Sequence, residues 1–302
     1  MQNRLDIHLT KKLSVSRAQV QKLIKLGTVT INGKIATAHT LVNEGDVVVH
    51  PKLEVIRVKR TVQPDIPVLY EDDDVVVINK PAGIIVHPMN ETDKRPSVIG
   101  SLLQGRVGLK KIGDPSTRSG NKNLRPGIVH RLDRAVSGVM VIAKTQIMFE
   151  ELKRQFSLRE VDKEYIALVY GRIAKDHDTI NFKIARSKTL GRMVSRPEGQ
   201  EGKEALTEYD VVDRFKTATL VDVKIHTGRT HQIRTHFKAI GHPVVGDTLY
   251  HTKIVNIRPI VMDRLFLHAH KLTIMLADGK RKTFTSPLPE ELKEMLKTLP
   301  HK

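Results

Sequence analysis

The stretch "HRLDRAVSG", residues 130–138, sets one aspartate between two arginines at the edge of an apolar run. Arg131 and Arg134 flank Asp133, and "VMVIAKT" follows with the look of a buried strand. A single carboxylate so placed is either an ion pair that ties a turn or a reactive group whose charge the cations favour. An extended segment would point Arg134 away from Asp133, so a partner that aims the carboxylate has to come from a distant element.

The surrounding chain narrows the class. Its 302 residues allow one large domain, or a large one beside a small one, and 39% hydrophobic residues suffice for a sizeable core. Lys and Arg number 51 against 33 Asp and Glu, a net charge of +18 that calls for a polyanionic partner, RNA before a membrane surface. No cysteine is present, which excludes disulfides, thiol catalysis and cysteine-ligated zinc, and fits a reducing compartment. The start "MQNRLDIHLTKK" lacks the apolar stretch of a signal peptide, and no run approaches the ~20 apolar residues of a membrane helix. A soluble cytoplasmic protein is expected.

Residues 1–60 read as a small α/β unit. "SRAQVQKLIKLG" opens on a Ser16/Gln19 capping box, places Val20, Leu23 and Ile24 on one face and stops at Gly27. "TVTINGKIA" turns at Asn32-Gly33, a type I′ hairpin signal, and "GDVVVH" supplies a further strand. Eleven Lys and Arg against four Asp and Glu give this unit +7. Arg17, Lys22 and Lys25 fall on the polar side of the helix, where phosphates can be met. Residues 61–67 read as a linker.

From residue 68 to 302 strands and helices mix without a strict βαβ rhythm. "DVVVINKPAGIIVHP" (74–88) reads as a strand broken at Lys80-Pro81 and resumed after Gly83. Residues 104–128 look like loop, and 104–134 hold eight Lys and Arg against two Asp and Glu, enough to grip an RNA backbone. "TQIMFEELKRQF" is helical, with Met148, Leu152 and Phe156 inward; "KEYIALVYG" and "TLVDVKIH" are strands. "THQIRTHFKAIG" is a helix capped by Thr230, with Ile233, Phe237 and Ile240 inward and Gly241 as its stop. The acidic "EDDD" (71–74) reads as a solvated turn. His231 and His236, five apart, do not stack as metal ligands would on a helix, and no metal site is expected. No glycine fingerprint for a dinucleotide or phosphate occurs, and "VSGV" lacks the context of a nucleophilic serine.

"LRPGIVHRLDRAVSGVMVIAKT" resembles the signature of the RluA/RluD-type RNA pseudouridine synthases. "NKPAGIIVHP", "KEYIALVYG", "IHTGRTHQIRTHFKAIGHPVVGDTLY" and "RLFLHAHKLTI…FTSPLP" agree with that family in order, spanning nearly all of residues 68–289. "GTVTINGK" after its helix pair is similar to the S-four-type RNA-binding module. The resemblance implies an α+β fold, with a mixed, mainly antiparallel central sheet around a cleft, working as a monomer on structured RNA, foremost ribosomal RNA, with no cofactor. It makes Asp133 the catalytic aspartate, Tyr165 the tyrosine against the target base, Arg234 the arginine paired with Asp133, and Arg131 the residue that enters the space left by a flipped nucleotide. Lys80 and Arg229 are expected to join Arg131, Arg17, Lys22 and Lys25 as RNA contacts. The one departure is Val136, where Thr or Ser is common. Two other readings use the same charge: a non-catalytic RNA-binding or ribosome-assembly protein, which has no need for Asp133, Tyr165 and Arg234 to converge, and a nucleoside glycosidase, which would release free uracil.

Overall fold

The computed structural model describes residues 3–13, 17–50, 63–90, 92–114, 125–197, 199–251 and 260–301. The chain divides into two compact units, Met1–Thr61 and Val62–Lys302.

The first unit runs β1 (Asn3–Arg4), α1 (Leu5–Leu13), α2 (Arg17–Lys25), β2 (Thr30–Ile31), β3 (Lys34–Ile35), β4 (Leu41–Val42) and β5 (Val48–Val49). Its core is made where Leu5 and Leu9 of α1 meet Val20 and Ile24 of α2 over Val29 and Val42. Gly27 ends α2 at φ 71°, a left-handed conformation that glycine adopts without strain. Asn32 and Gly33 take φ of 50° and 79°, the pair of positive values that a type I′ turn between β2 and β3 requires. Ser16 of the expected capping box lies outside the described residues.

The second unit contains β6 (Val68–Glu71), β7 (Val75–Lys80), α3 (Val98–Gly105), β8 (Ser137–Ala143), α4 (Gln146–Leu158), β9 (Asp162–Tyr170), β10 (His177–Ile180), β11 (Lys183–Arg186), β12 (Met193–Arg196), β13 (Thr207–Arg214), β14 (Ala218–Ile225), α5 (Gln232–Ala239), β15 (Leu267–Met275), β16 (Arg281–Thr285) and α6 (Glu290–Lys297). Nine of these strands form one sheet in the order β10-β13-β14-β9-β15-β8-β7-β6, with β16 on the later part of β15. Every pairing in it is antiparallel except β8 with β15. The result is the mixed, mainly antiparallel sheet of an α+β fold.

Strand β8 is buried at all seven positions, which is why "SGVMVIA" shows no alternation: both faces of the sheet are covered there. Helix α4 supplies part of the cover through Met148, Phe149 and Leu152, starting at Thr145, whose hydroxyl accepts from the Met148 amide. Buried Gln155 on α4 both donates to and accepts from the backbone of Met275, at 3.0 and 2.9 Å, and so fixes the end of β15. Phe237 and Ile233 of α5 enter the same core.

Three expectations are corrected. The chain does not resume a strand after Gly83; Ile85 makes a single bridge to Ser97, because the backbone there is taken up by the start of α3. The segment 104–128 is not all loop: α3 ends at Gly105 and a 3₁₀ turn follows over Val107–Lys111, burying Leu109, while 115–124 lie outside the described residues. Helix α5 is capped by His231 rather than Thr230. Its φ of 58° is left-handed, and no side-chain bond caps the helix.

The parallel contact of β8 with β15 places Gly138 beside Ala269. Gly138 has φ 124°, and a Cβ there would lie 2.1 Å from the Ala269 carbonyl oxygen. Gly138→Ala is therefore expected to destabilise the protein by about 3 kcal/mol, from backbone strain and a clash that rigid backbone cannot relieve. Gly108→Ala, where a Cβ meets open space, should shift stability by less than about 0.5 kcal/mol. Denaturant titration of both variants gives the comparison.

Candidate active site

Asp133 sits on a tight turn that the Val136 amide closes by donating to the Asp133 carbonyl at 3.1 Å. Leu132 and Val136 anchor that turn in the core, so the position where a hydroxyl residue is common carries a packing side chain here. The turn is clasped by the loop after β7: the Gly83 amide donates to the Arg134 carbonyl at 2.7 Å, and Arg134 Nε returns a bond to the Gly83 carbonyl at 2.9 Å. Arg134 thus turns away from Asp133.

The partner comes from α5, 101 residues on. Arg234 Nη1 donates to Asp133 Oδ2 at 3.3 Å, while Nε and Nη2 fork onto Asp247 at 2.6 and 2.8 Å. The Asp247 side chain is fully buried and also accepts from the amides of Leu249 and Tyr250, both at 2.9 Å. Burial alone would raise the Asp247 pKa, but the bonds and charge of Arg234 carry it below the usual carboxylate value. The Arg234 guanidinium also lies over the Tyr250 ring, 4.9 Å from its centroid. Tyr250 in turn shares a 2.8 Å hydrogen bond with His231 Nδ1, and His231 Nε2 stands 3.6 Å from Asp133 Oδ2. Burial pushes the His231 imidazole below its ordinary value, against the opposing pull of Asp133.

These groups open onto a cavity of about 360 Å³, within the range of small-ligand sites. Asp133, Arg234 and His231 line one part of it; Lys163 and Tyr165 of β9 line another, with Phe156 of α4 beside them. Residues two apart on a strand share a face, so β9 delivers Lys163 and Tyr165 to the same wall. Burial, with the Asp133 charge second, pushes the Tyr165 hydroxyl well above the ordinary tyrosine range. The ring therefore meets the cavity as a phenol rather than a phenolate at neutral pH.

The structure thus brings Asp133, Tyr165 and Arg234 to one cavity. Arg131 is exposed and lines its mouth, and Arg229 lines it while Nε donates to the Glu204 carbonyl at 2.9 Å. In the first unit Arg17 is half exposed and its Nε donates to the buried Asp6 at 2.9 Å, in company with Arg4 and Gln21. Burial opposes the Asp6 charge, yet these three partners hold its carboxyl below the carboxylate range. Lys25 is exposed; the Lys22 side chain lies outside the described residues.

Lys80 does not belong with the RNA contacts. It is fully buried, and its Nζ donates to the carbonyls of Pro81 and Ile84, each at 2.9 Å, and of Arg134 at 3.3 Å. Burial lowers its pKa to about 7, partly opposed by Asp133. Its work is to knit the loop after β7 to the turn that carries Asp133. Asp247 and Lys163 were not singled out by the sequence, and His231 was weighed only as a metal ligand. For Lys163 the signal was present, two positions before Tyr165 on a strand. For Asp247 nothing short of the folded chain shows that it meets Arg234. On the opposite face of β9, Glu164, Asp222 and His270 bring ligand-type atoms within 4.8 Å of one another, but Lys271 Nζ already stands 2.9 Å from Glu164 Oε2, which makes the group an ion-pair network.

Comparison with known proteins identifies the family of each unit. Residues 74–239 match the family model of RNA pseudouridylate synthase, and residues 4–48 that of the S4 domain. The chain is 42% identical over 256 residues to an uncharacterized RNA pseudouridine synthase of Aquifex aeolicus (strain VF5), covering 82% of this chain and 77% of the relative. It is 38% identical over 238 residues to the ribosomal large subunit pseudouridine synthase D of Xylella fastidiosa (strain Temecula1), with 78% and 67% covered. Among solved structures, human RNA pseudouridylate synthase domain containing 1 superposes with a TM-score of 0.60 at 25% identity, covering 79% of this chain and 97% of the human one.

Lys80→Met is expected to lower stability by about 2–4 kcal/mol, since the carbonyls of Pro81 and Ile84 lose their donor and the tie to the Arg134 carbonyl is cut. RNA affinity should be unchanged under conditions where the variant is folded. A lower affinity with unaltered thermal midpoint would return Lys80 to the RNA surface.

Proposed function

The chain belongs to the RNA pseudouridylate synthase family and isomerises uridine to pseudouridine in RNA, and on that premise we propose that Asp133 acts on the sugar, Tyr165 holds the base and Arg234 aims Asp133, with ribosomal RNA as the substrate. The observation that carries the assignment is the Arg234 guanidinium, which bridges Asp133 in the cavity and Asp247 behind it. A protein that only bound RNA would have no use for a carboxylate turned into a cavity of nucleotide size and held there from two sides.

The target nucleotide has to leave its stack, because the Asp133 turn lies inside the cavity and not on a surface that a paired base could reach. Arg131, exposed on the cavity lining, is proposed to enter the space left behind. In the cavity Asp133 meets the sugar, either at the anomeric carbon or at the 2′ proton. The bond from the sugar to ring nitrogen 1 then breaks, the uracil turns on the Tyr165 wall, and carbon 5 bonds the sugar in its place. Tyr165, protonated at neutral pH, supplies a ring face and a hydroxyl donor.

We assign residues 1–60 to RNA binding, 61–67 to the connection, and 68–302 to catalysis. The basic helix α2 supports the first, and the large-subunit name of the Xylella relative supports ribosomal RNA and hence a cytoplasmic setting. Gln63 is more than a tether, since its Oε1 accepts from the Ser97 amide at 3.0 Å. Among the described residues no helix is long and apolar enough to cross a membrane.

Asp133→Asn keeps the shape of the side chain and loses its charge and nucleophile. It should cut single-turnover pseudouridine formation by roughly 10³-fold or more while RNA binding persists. More than a few per cent of wild-type turnover would remove Asp133 from the chemistry. Lys25→Ala should raise the half-saturating RNA concentration, lower the salt slope of binding by about 1, and leave the saturated rate unchanged. Equal salt slopes for variant and wild type would show that Lys25 does not touch phosphate.

A further inference from the structure

Lys163 is the cation in this cavity that the assignments above leave without a task. It lies on β9 two residues before Tyr165, lines the same cavity and is only 8% exposed. Among the described residues its Nζ has no hydrogen bond and no carboxylate at ion-pair distance; what lies near is the Phe156 ring, 5.9 Å from Nζ to the centroid. The contrast with its neighbours is the point. Arg234 is occupied by Asp247 and Asp133, and Lys80 by three carbonyls. The side chain is largely enclosed but Nζ is open to the cavity, and a fold that only needed an apolar stem here would be more stable with Met or Leu.

The reaction supplies the missing anion. When the bond between the sugar and ring nitrogen 1 breaks, the electron pair stays with the uracil, and its negative charge spreads over nitrogen 1 and the two carbonyl oxygens. We propose that Lys163 is a catalytic residue that donates a charged hydrogen bond to a carbonyl oxygen of the detached uracil and stabilises it until carbon 5 attacks the sugar. Lys163 keeps its proton throughout. The hydrogen on carbon 5 is lost after the new bond forms and nitrogen 1 gains one, so the reaction remains an isomerisation. The flipped base, rather than a phosphate, is the partner that fits: Lys163 shares a wall with Tyr165, whereas the exposed Arg131 stands at the mouth where the backbone passes.

Burial lowers the Lys163 pKa to about 8, Asp162 beside it opposing that change and Arg159 at the end of α4 adding to it. Two neighbours keep one protonation state near neutral pH. His130, stacked on Phe156 at 4.6 Å, is held neutral by burial with a pKa of about 3, and Tyr165 remains a phenol. Asp133, His231, Arg131, Arg229 and Arg234 also line the cavity; from β15, Leu272 pairs with Lys163 and brings no charge. The charged lysine is the working form, so the rate should fall as pH rises through about 8.

The inference rests on the reading of Asp133 and Tyr165 given above, and Asp133→Asn run in parallel keeps the two failures apart. Single-turnover pseudouridine formation is measured at saturating RNA from pH 6.5 to 9.5 for wild type, Lys163→Met and Lys163→Arg, with thermal unfolding and RNA binding for each. Lys163→Met should lose roughly 10²–10³-fold in rate, the scale of removing one donor to a developing anion, with half-saturation little changed. Lys163→Arg, charged across the whole range, should be active and lose the alkaline fall, the titration of the RNA being common to both proteins. A Lys163→Met rate within threefold of wild type, with Asp133→Asn inactive, overturns the proposal and leaves the site assignment standing. An active Asp133→Asn overturns the assignment itself. Should Lys163→Met not fold, the two remaining profiles decide: alkaline limbs that coincide in wild type and Lys163→Arg sink the proposal.

Discussion

The structure depends on one shared guanidinium. Arg234 is nearly buried and must satisfy its donors without water, and it does so with two carboxylates that lie on opposite sides of it. The fork on Asp247 uses Nε and Nη2 and is the stronger half, shorter and fully enclosed; Nη1 is left over and points at Asp133. Asp247 can hold that position because two backbone amides and the fork satisfy its oxygens. Remove any of these and a charge is left buried without its partner, which is more damaging than never having placed the pair there. The direction of Asp133 is therefore set by a residue it never touches.

The same constraint explains the shape of the loops. Gly246, just before Asp247, takes φ 75° with its α-carbon so close to the Arg264 carbonyl that a Cβ would stand 2.0 Å away. The turn bearing Asp133 is held from the other side by Lys80, whose ammonium ties three carbonyls of two loops. One buried cation aims the carboxylate and another shapes the backbone that carries it.

Much of this was legible in the chain. Strands β8, β9 and β14 and helices α4 and α5 announce themselves by apolar runs or by spacing, and Asn32-Gly33 fixes its hairpin by the backbone angles that those two residues accept. The ordered motif blocks placed Asp133, Tyr165 and Arg234 in advance of any coordinates. What the chain concealed has a common physical cause. Lys80 reads as a surface cation because burial of a lysine depends on carbonyls supplied by residues 81, 84 and 134, and the last of these is 54 positions away. His231 holds the cap position that Thr230 was expected to take, in a left-handed conformation, and its ring bonds Tyr250, a pairing across 19 residues. The parallel joining of β8 to β15 follows from contacts 131 residues apart. Periodicity reports which face a residue presents; it carries no information about the partner that face will meet.

Read together, the cations of this chain sort by what neutralises them. Lys25 on α2 and Arg131 on the cavity lining are exposed and available to phosphate, and their worth falls with salt. Arg234 is neutralised by carboxylates and Lys80 by carbonyl dipoles, so both are spent on geometry. Among the described residues Lys163 lines the cavity with the Phe156 ring beside it and neither a hydrogen bond nor a carboxylate at ion-pair distance. A fold that satisfies Arg234 through three bonds and Lys80 through three more, within the same sheet and its loops, shows that partners were available to it. Leaving one ammonium unpaired beside Tyr165 is consistent with a partner that arrives with the substrate, and the charge that the reaction releases onto the uracil is of the sign and in the place that the empty side of Lys163 requires.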